Sequence, residues 1–229
     1  MSPAARVRAR RGEGDKLRDE ILAAVSELLD ETNDEAAVSI RAIAERVGVT
    51  PPSIYRHFED KEAMLGAVCA DVFAQLTDGI AQAVASSTSS LDALAEAGRC
   101  YVQFGLEHPE HYRLVFMRPP FKGELLDHSE LRPVLEAGVI PESHPLFSGD
   151  ALAGSQAFKA LYDLVGAVIA EVPQRRRPDV FTVTTSMWTA MHGITSLRIS
   201  KPDFVWPPVE DQIGAILWPW HEVRRAAAR

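Results

Sequence analysis

SIRAIAERVGVTPPSIYRHFEDK, residues 39–61, is the stretch whose reading decides the fold. Ser39 is a good N-cap, and Ile40, Ile43, Ala44 and Val47 behind it share one helical face. Gly48 stops that helix, because the residue past a helix end commonly needs the left-handed conformation that glycine tolerates best. Thr50 is placed to cap a second helix, and Pro51 in its first turn lacks an amide that would be unpaired there anyway. Ile54 and Phe58, one turn apart, anchor this helix, while Ser53, Arg56 and the cap residues face outward. The spacing predicts a helix over 51–58 that is about 12 Å long at ~1.5 Å per residue. Such a rod fits a B-DNA major groove, about 12 Å wide. Its N-terminal residues would reach base edges while the preceding helix crosses the backbone. Two capped helices and a glycine turn are the build of a helix-turn-helix.

The rest of the chain reads as all-α. A helix from Lys16 to Glu31 places Leu17, Ile21, Val25, Leu28 and Leu29 inward. Asp60 caps a long helix in which Met64, Val68, Val72, Leu76 and Ile80 recur every four residues to about Ala85. From Leu91 to His108 the chain is helical again, and Pro109 opens a segment carrying Tyr112, Leu114, Val115 and Phe116. Pro119, Pro120, Pro133, Pro141 and Pro145 exclude one continuous helix over 118–147. Three more helices are expected over 150–171, 179–200 and 208–227, with Pro219 inside the last.

Composition bounds the function. The 229 residues suit a small domain plus a larger one, and 46% hydrophobic content suffices for a core. A net charge of −8 argues against a sequence-blind nucleic-acid binder, which needs a broad basic surface. A local basic face survives that balance: Arg41, Arg46, Arg56 and Lys61 decorate the motif. Arg6, Arg8, Arg10 and Arg11 fill an opening stretch expected to be disordered over 1–14. This arm reads equally as a phosphate or minor-groove fastener and as a solubilising leader. Cys69 and Cys100 sit in apolar helical stretches and form no CxxC pair, as in a reducing cytosol. The start is polar, and the longest apolar run, Leu164 to Ala170, is far short of the ~20 residues a bilayer span needs. A cytoplasmic protein without a membrane segment is expected.

At residues 48–62 the resemblance becomes specific. Gly48-Val49-Thr50, Ile54-Tyr55-Arg56-His57-Phe58 and Asp60-Lys61-Glu62 resemble the DNA-binding domain of the TetR (tetracycline repressor) family of bacterial transcription regulators. The likeness runs from about Asp15 to Leu65. It implies that Tyr55, His57 and Lys61 hold phosphates, and that Arg41, Thr50, Pro51, Pro52 and Ser53 reach bases or their sugars. The doubled Pro51-Pro52 departs from many members. Pro51 offers only apolar contact, which leaves hydrogen-bond readout mainly to Arg41, Thr50 and Ser53.

The resemblance further implies a helix-turn-helix domain over 15–62, and a ligand-binding and dimerisation bundle over 63–229 whose last two helices pair with a second copy. Gly193, Ala190, Gly214 and Ala215 would let those helices approach closely, and ordinary packing within the chain would use them equally well. In the bundle, Tyr101, Phe104, Phe116, Met117, Phe158, Tyr162, Trp188, Met191 and His192 are the candidate effector residues. Position by position, such stripes read more readily as core. Trp188, His192 and Gly193 resemble the Trp-x-x-x-His-Gly pattern of one class of family C-terminal domains. His192 reads either as a hydrogen-bond partner for an effector head group or as a buried histidine satisfied by backbone.

No cofactor or catalytic residue is expected. Gly154-Ser155 lacks the surroundings of a nucleophile elbow, and no phosphate loop or HExxH occurs. His108 and His111 are three apart, but Pro109 intervenes and nothing nearby completes a metal set, so no metal is expected. The leading reading is a dimeric repressor released from a palindromic operator by a small, mostly apolar effector. The other is an interaction protein that uses DNA as a scaffold and binds a protein partner through its bundle.

Overall fold

A computed structural model describes residues 14–118, 155–174 and 177–227. Nine α-helices and one 3-10 turn make up the described residues, with no strand among them. They are α1 (Gly14–Thr32), α2 (Ile40–Val47), α3 (Pro51–Ile54), α4 (Lys61–Ala85), α5 (Ser90–Glu107), α6 (Pro109–Phe116), α7 (Ser155–Ala170), α8 (Val180–Ser200) and α9 (Val209–Ala227). The arginine-rich arm and most of the proline-rich span lie outside the described residues. The chain forms two compact units, one of Met1–Val72 with His108–Phe121, the other of Phe73–Glu107 with Lys122–Arg229. The units do not follow the sequence division at residues 62 and 63. Their first cut falls inside α4, and α6 packs with the N-terminal helices.

The first unit is built around α1. Ile21, Leu22, Val25, Leu28 and Leu29 are buried, whereas Leu17 is only half-buried. The helix ends at Asn33, whose φ of 50° lets its N–H close 2.9 Å from the Leu29 carbonyl. Asp34 then accepts from the Ala36 amide and caps the 3-10 turn Glu35–Ala37. Ser39 Oγ accepts from the Ala42 amide at 3.2 Å and opens α2. Gly48 closes it with φ 74° and ψ 34°. The Gly48 N–H meets the Glu45 carbonyl at 3.3 Å, and the Val49 N–H meets that of Ala44 at 2.9 Å, which together form a Schellman closure.

The second short helix departs from expectation. Regular α-helix covers only Pro51–Ile54, about 6 Å at ~1.5 Å per residue, rather than 51–58. Tyr55 still bonds back to Pro51, but the His57 and Phe58 amides both go to the Ile54 carbonyl, so the chain tightens into a turn. Thr50 occupies the N-cap position, but its side chain makes no cap bond; its hydroxyl sits 3.2 Å from that of Ser53. Ile54 and Phe58 are buried as expected. Asp60 Oδ1 accepts from the Ala63 amide to start α4, and Met64, Leu65, Val68 and Val72 complete the core with Tyr112 and Leu114 of α6.

By length and composition α4 alone among the described helices would reach across a bilayer. Its order is that of a helix packed on one face, with Asp71 and Asp78 exposed and Met64, Val68, Val72 and Leu76 buried.

In the second unit α5 is the hub, packing on α7, α8 and α9. Leu91, Leu94, Ala97, Tyr101 and Val102 are its buried face. Gly98 permits the close approach: a Cβ there would lie 3.0 Å from Met191 Sδ and 3.7 Å from Ile213 Cδ1. Asp179 Oδ2 accepts from the Thr182 amide and caps α8. Within α8 the buried hydroxyls of Thr184 and Thr195 donate to the carbonyls of Val180 and Met191 one turn back. Neither cysteine is in a disulfide, Cys69 in the first unit and Cys100 in the second.

The turn between α2 and α3 can be tested by two substitutions read in urea denaturation. Ser39→Ala removes the cap bond and should cost about 1 kcal/mol. Gly48→Ala should cost about 1–2 kcal/mol, from the left-handed backbone alone, since a Cβ there meets nothing within 4 Å. Unchanged stability in both would mean that caps do not hold this turn.

Candidate nucleic-acid interface

The expected contact residues all belong to the first unit and cluster in sequence around α3. Arg41 is exposed on α2, and Thr50, Pro51 and Pro52 are exposed at the start of α3. Ser53 is half-buried, with its hydroxyl held against that of Thr50. Tyr55 is 55% exposed, Arg56 is exposed and His57 is half-buried. Exposure of a tyrosine to this degree is unusual for a residue that would otherwise help fill a core. It follows from the anchors: burying Ile54 and Phe58 leaves the residues between them on the outer side of the turn.

Four cations near this surface are committed elsewhere in whole or part. Lys61 Nζ donates to the Glu35 carbonyl at 2.7 Å, which ties the start of α4 to the 3-10 turn and uses one of its three donors. Arg46, counted in the sequence among the basic residues of the motif, is a structural cation. Its guanidinium forks onto Glu31 and reaches Glu27 at 3.3 Å, joining α2 to α1. The hydrogen bond from Arg46 holds the Glu31 carboxyl below the usual range. Arg18 stacks its guanidinium 5.2 Å from the centroid of Phe58. Arg118, which no motif marked, lies 3.1 Å from Glu62 and 3.6 Å from Glu35. It therefore braces the same turn and helix start as Lys61. Glu27 and Glu31, four apart on α1, share one helical face, and their spacing does not reveal the partner.

The candidate effector residues are divided. Phe116 and Met117 belong to the first unit, where Phe116 packs on Tyr112 at 5.0 Å between centroids and Met117 is 53% exposed. The other seven belong to the second unit. Tyr101 and Met191 are buried, Phe104, Phe158, Tyr162 and His192 are half-buried, and Trp188 is 41% exposed. Phe158 stands edge-on to Phe181 at 6.0 Å and to Trp188 at 6.1 Å, so Phe181 joins a ring cluster that the sequence reading had left out. Burial pushes the His192 ring below the ordinary histidine range and the Tyr162 phenol above its own. A neutral imidazole offers one donor and one acceptor.

His111 is also buried, on α6, and its Nδ1 lies 3.1 Å from Asp30 Oδ1 on α1. The His108 ring is 5.8 Å away by centroid and perpendicular to it. Chain folding thus supplies a carboxylate beside the histidine pair, which spacing alone could not reveal.

Two families match successive stretches of the chain. Residues 21–68 match the model of bacterial regulatory proteins of the tetR family, and residues 94–214 match that of the tetracyclin repressor-like C-terminal domain. The HTH-type transcriptional activator FasR of Mycolicibacterium smegmatis is 31% identical over 102 residues, which are 44% of this chain and 46% of that protein. The chain thus spans about half the length of the curated relative it matches. Among solved structures, a Rhodococcus sp. protein of unknown function superposes with a TM-score of 0.66 at 20% identity, covering 91% of this chain and 95% of that one. The transcriptional regulator FadR from Bacillus subtilis, solved in complex with stearoyl-CoA, gives 0.60 at 14% identity, covering 88% and 96%.

Positioning and readout separate experimentally at these residues. Lys61→Ala should weaken binding to all duplexes alike and lower the salt slope by about 0.9. Arg46→Gln should leave that slope unchanged, because its charge is spent on α1. Arg41→Ala and Ser53→Ala should relax preference at particular base pairs, by about 1–3 kcal/mol for a well-formed contact. A Lys61 variant with altered sequence preference, beside an Arg41 variant without one, would reverse these roles.

Proposed function

Since the chain belongs to the tetR family of bacterial regulatory proteins, we propose that it is a cytoplasmic, homodimeric transcription regulator and not an enzyme. It binds a palindromic operator through the helix-turn-helix and acts as a repressor. The observation that carries this reading is the exposed set Arg41, Thr50, Tyr55 and Arg56, of which Tyr55 and Arg56 are held outward by the buried Ile54 and Phe58. Arg41, Thr50, Pro51, Pro52 and Ser53 meet bases or sugars, and Tyr55, His57 and Lys61 meet phosphates.

Dimerisation is favoured by geometry. One short recognition element touches few base pairs, whereas two related by a two-fold axis read a palindrome. The last two helices have surface left for a second copy. A Cβ at Gly193 of α8 or Gly214 of α9 would meet nothing within 4 Å, and Leu197 and Trp218 are 49% and 58% exposed.

The effector is small and mostly apolar, and it enters the second unit by the ring cluster of Phe158, Phe181 and Trp188, near Tyr101, Phe104, Tyr162 and Met191 in the proposed site. A neutral His192 suits a polar head group that accepts or donates a hydrogen bond. That a fold of this kind was solved with stearoyl-CoA makes an apolar ligand reasonable for the bundle. The FasR relative is an activator, so the sign of regulation is a separate outcome of the test.

Band shifts against a selected duplex pool should yield a palindrome bound by two chains, its half-site centres about 34–36 Å apart or a multiple of that. Equal affinity for random and selected duplexes at physiological salt would overturn sequence-specific regulation. The effector must bind with different affinity in the presence and absence of operator. Linkage requires that operator affinity change by the same factor, ordinarily about 5–150-fold. A ligand bound equally tightly in both states is not the inducer, however high its affinity.

A further inference from the structure

We propose that Asp30, His108 and His111 form a binding site for one divalent transition-metal ion of the zinc class. Each offers one ligand atom, and these atoms all lie within 4.8 Å of one another. Two imidazoles and one carboxylate suit zinc, nickel, cobalt or ferrous ions, and leave a further position for water or an exchangeable anion.

The local structure explains why the histidines meet. His108 is the N-cap of α6, with Pro109 and Glu110 as its first two residues and His111 as its third. N-cap and third-residue side chains face one another across a helix start, as they do in a capping box. Pro109, which stands between the pair in sequence, is therefore part of what aligns it. The His108 ring makes no cap bond to the helix amides.

The carboxylate comes from the last turn of α1. That turn holds Asp30 and Glu31 and no basic residue, so both acids oppose the helix dipole. Arg46 answers Glu31. Asp30 faces the buried His111, whose Nδ1 stands 3.1 Å from Oδ1 and yet has no aligned hydrogen-bond partner among the described residues. His111 is 6% exposed. A close nitrogen and oxygen with no aligned hydrogen bond between them leave both groups able to share an ion. A tetrahedral ion held at about 2.0–2.1 Å spaces its ligands about 3.3–3.4 Å apart, near the separation of this pair.

The test uses the tag-free full-length protein, stripped with a chelator and titrated with Co2+ and then Zn2+. One ion per chain is expected by elemental analysis. Bound Co2+ should show visible absorption that Zn2+ abolishes, and Zn2+ should raise the melting temperature, because an ion bound to the folded state stabilises it. Asp30→Asn and His108→Ala lie nearer the surface than His111, so they carry the test without emptying the core. Each should lower Zn2+ affinity by at least about tenfold with unchanged far-UV circular dichroism, while His221→Ala keeps the parent affinity. Absence of stoichiometric binding would overturn the proposal. So would equal affinity in the Asp30 and His108 variants, which would reduce Asp30 and His111 to an ion pair.

Discussion

A helix of four residues has no stability of its own, since the first turn costs more conformational entropy than its single hydrogen bond returns. Everything at the α2–α3 end of this protein therefore depends on the burial of Ile54 and Phe58. Both side chains are buried, α3 packs on α2 and the Phe58 ring lies beside Arg18 of α1, and this burial fixes the direction of the residues between them. The Gly48 closure sets where α3 begins, but the burial decides which way it faces. Two prolines in the first turn are tolerable for the same reason. The amides they lack are not what holds the segment in place.

Much of this was legible in the sequence because caps and periodicity are local. Ser39, Gly48, Asp60 and Asp179 each act within a few residues of themselves, and each occupies the expected boundary. The extent of α3 was less legible. Periodicity correctly placed Ile54 and Phe58 on one face, but a turn in which His57 and Phe58 share the Ile54 carbonyl gives the same facing as a regular helix. Spacing cannot distinguish the two.

Pairings between distant segments were not legible at all. Arg46 reads in sequence as one of the basic residues of the motif and Arg118 carries no signal, yet one crosses from α2 to α1 and the other joins the end of α6 to Glu35 and Glu62. Asp30 and His111 are of the same kind. In the second unit the difficulty was different: an aromatic at helical spacing is apolar whether it fills a core or edges an opening. Tyr101 and Met191 are buried and Trp188 is well exposed, although all three carried the same sequence signal.

The contact between Gly98 and Met191 has a consequence for how this bundle varies among related sequences. With only 3.0 Å between an added Cβ and the sulfur, positions 98 and 191 share one allotment of volume. Methionine is the side chain best able to shift its end group and tolerate a small intrusion. A stiff β-branched residue at 191 would turn the glycine into an obligation, while a shorter residue there would release it. The two positions should therefore drift together, α5 keeping a residue no larger than α8 leaves room for.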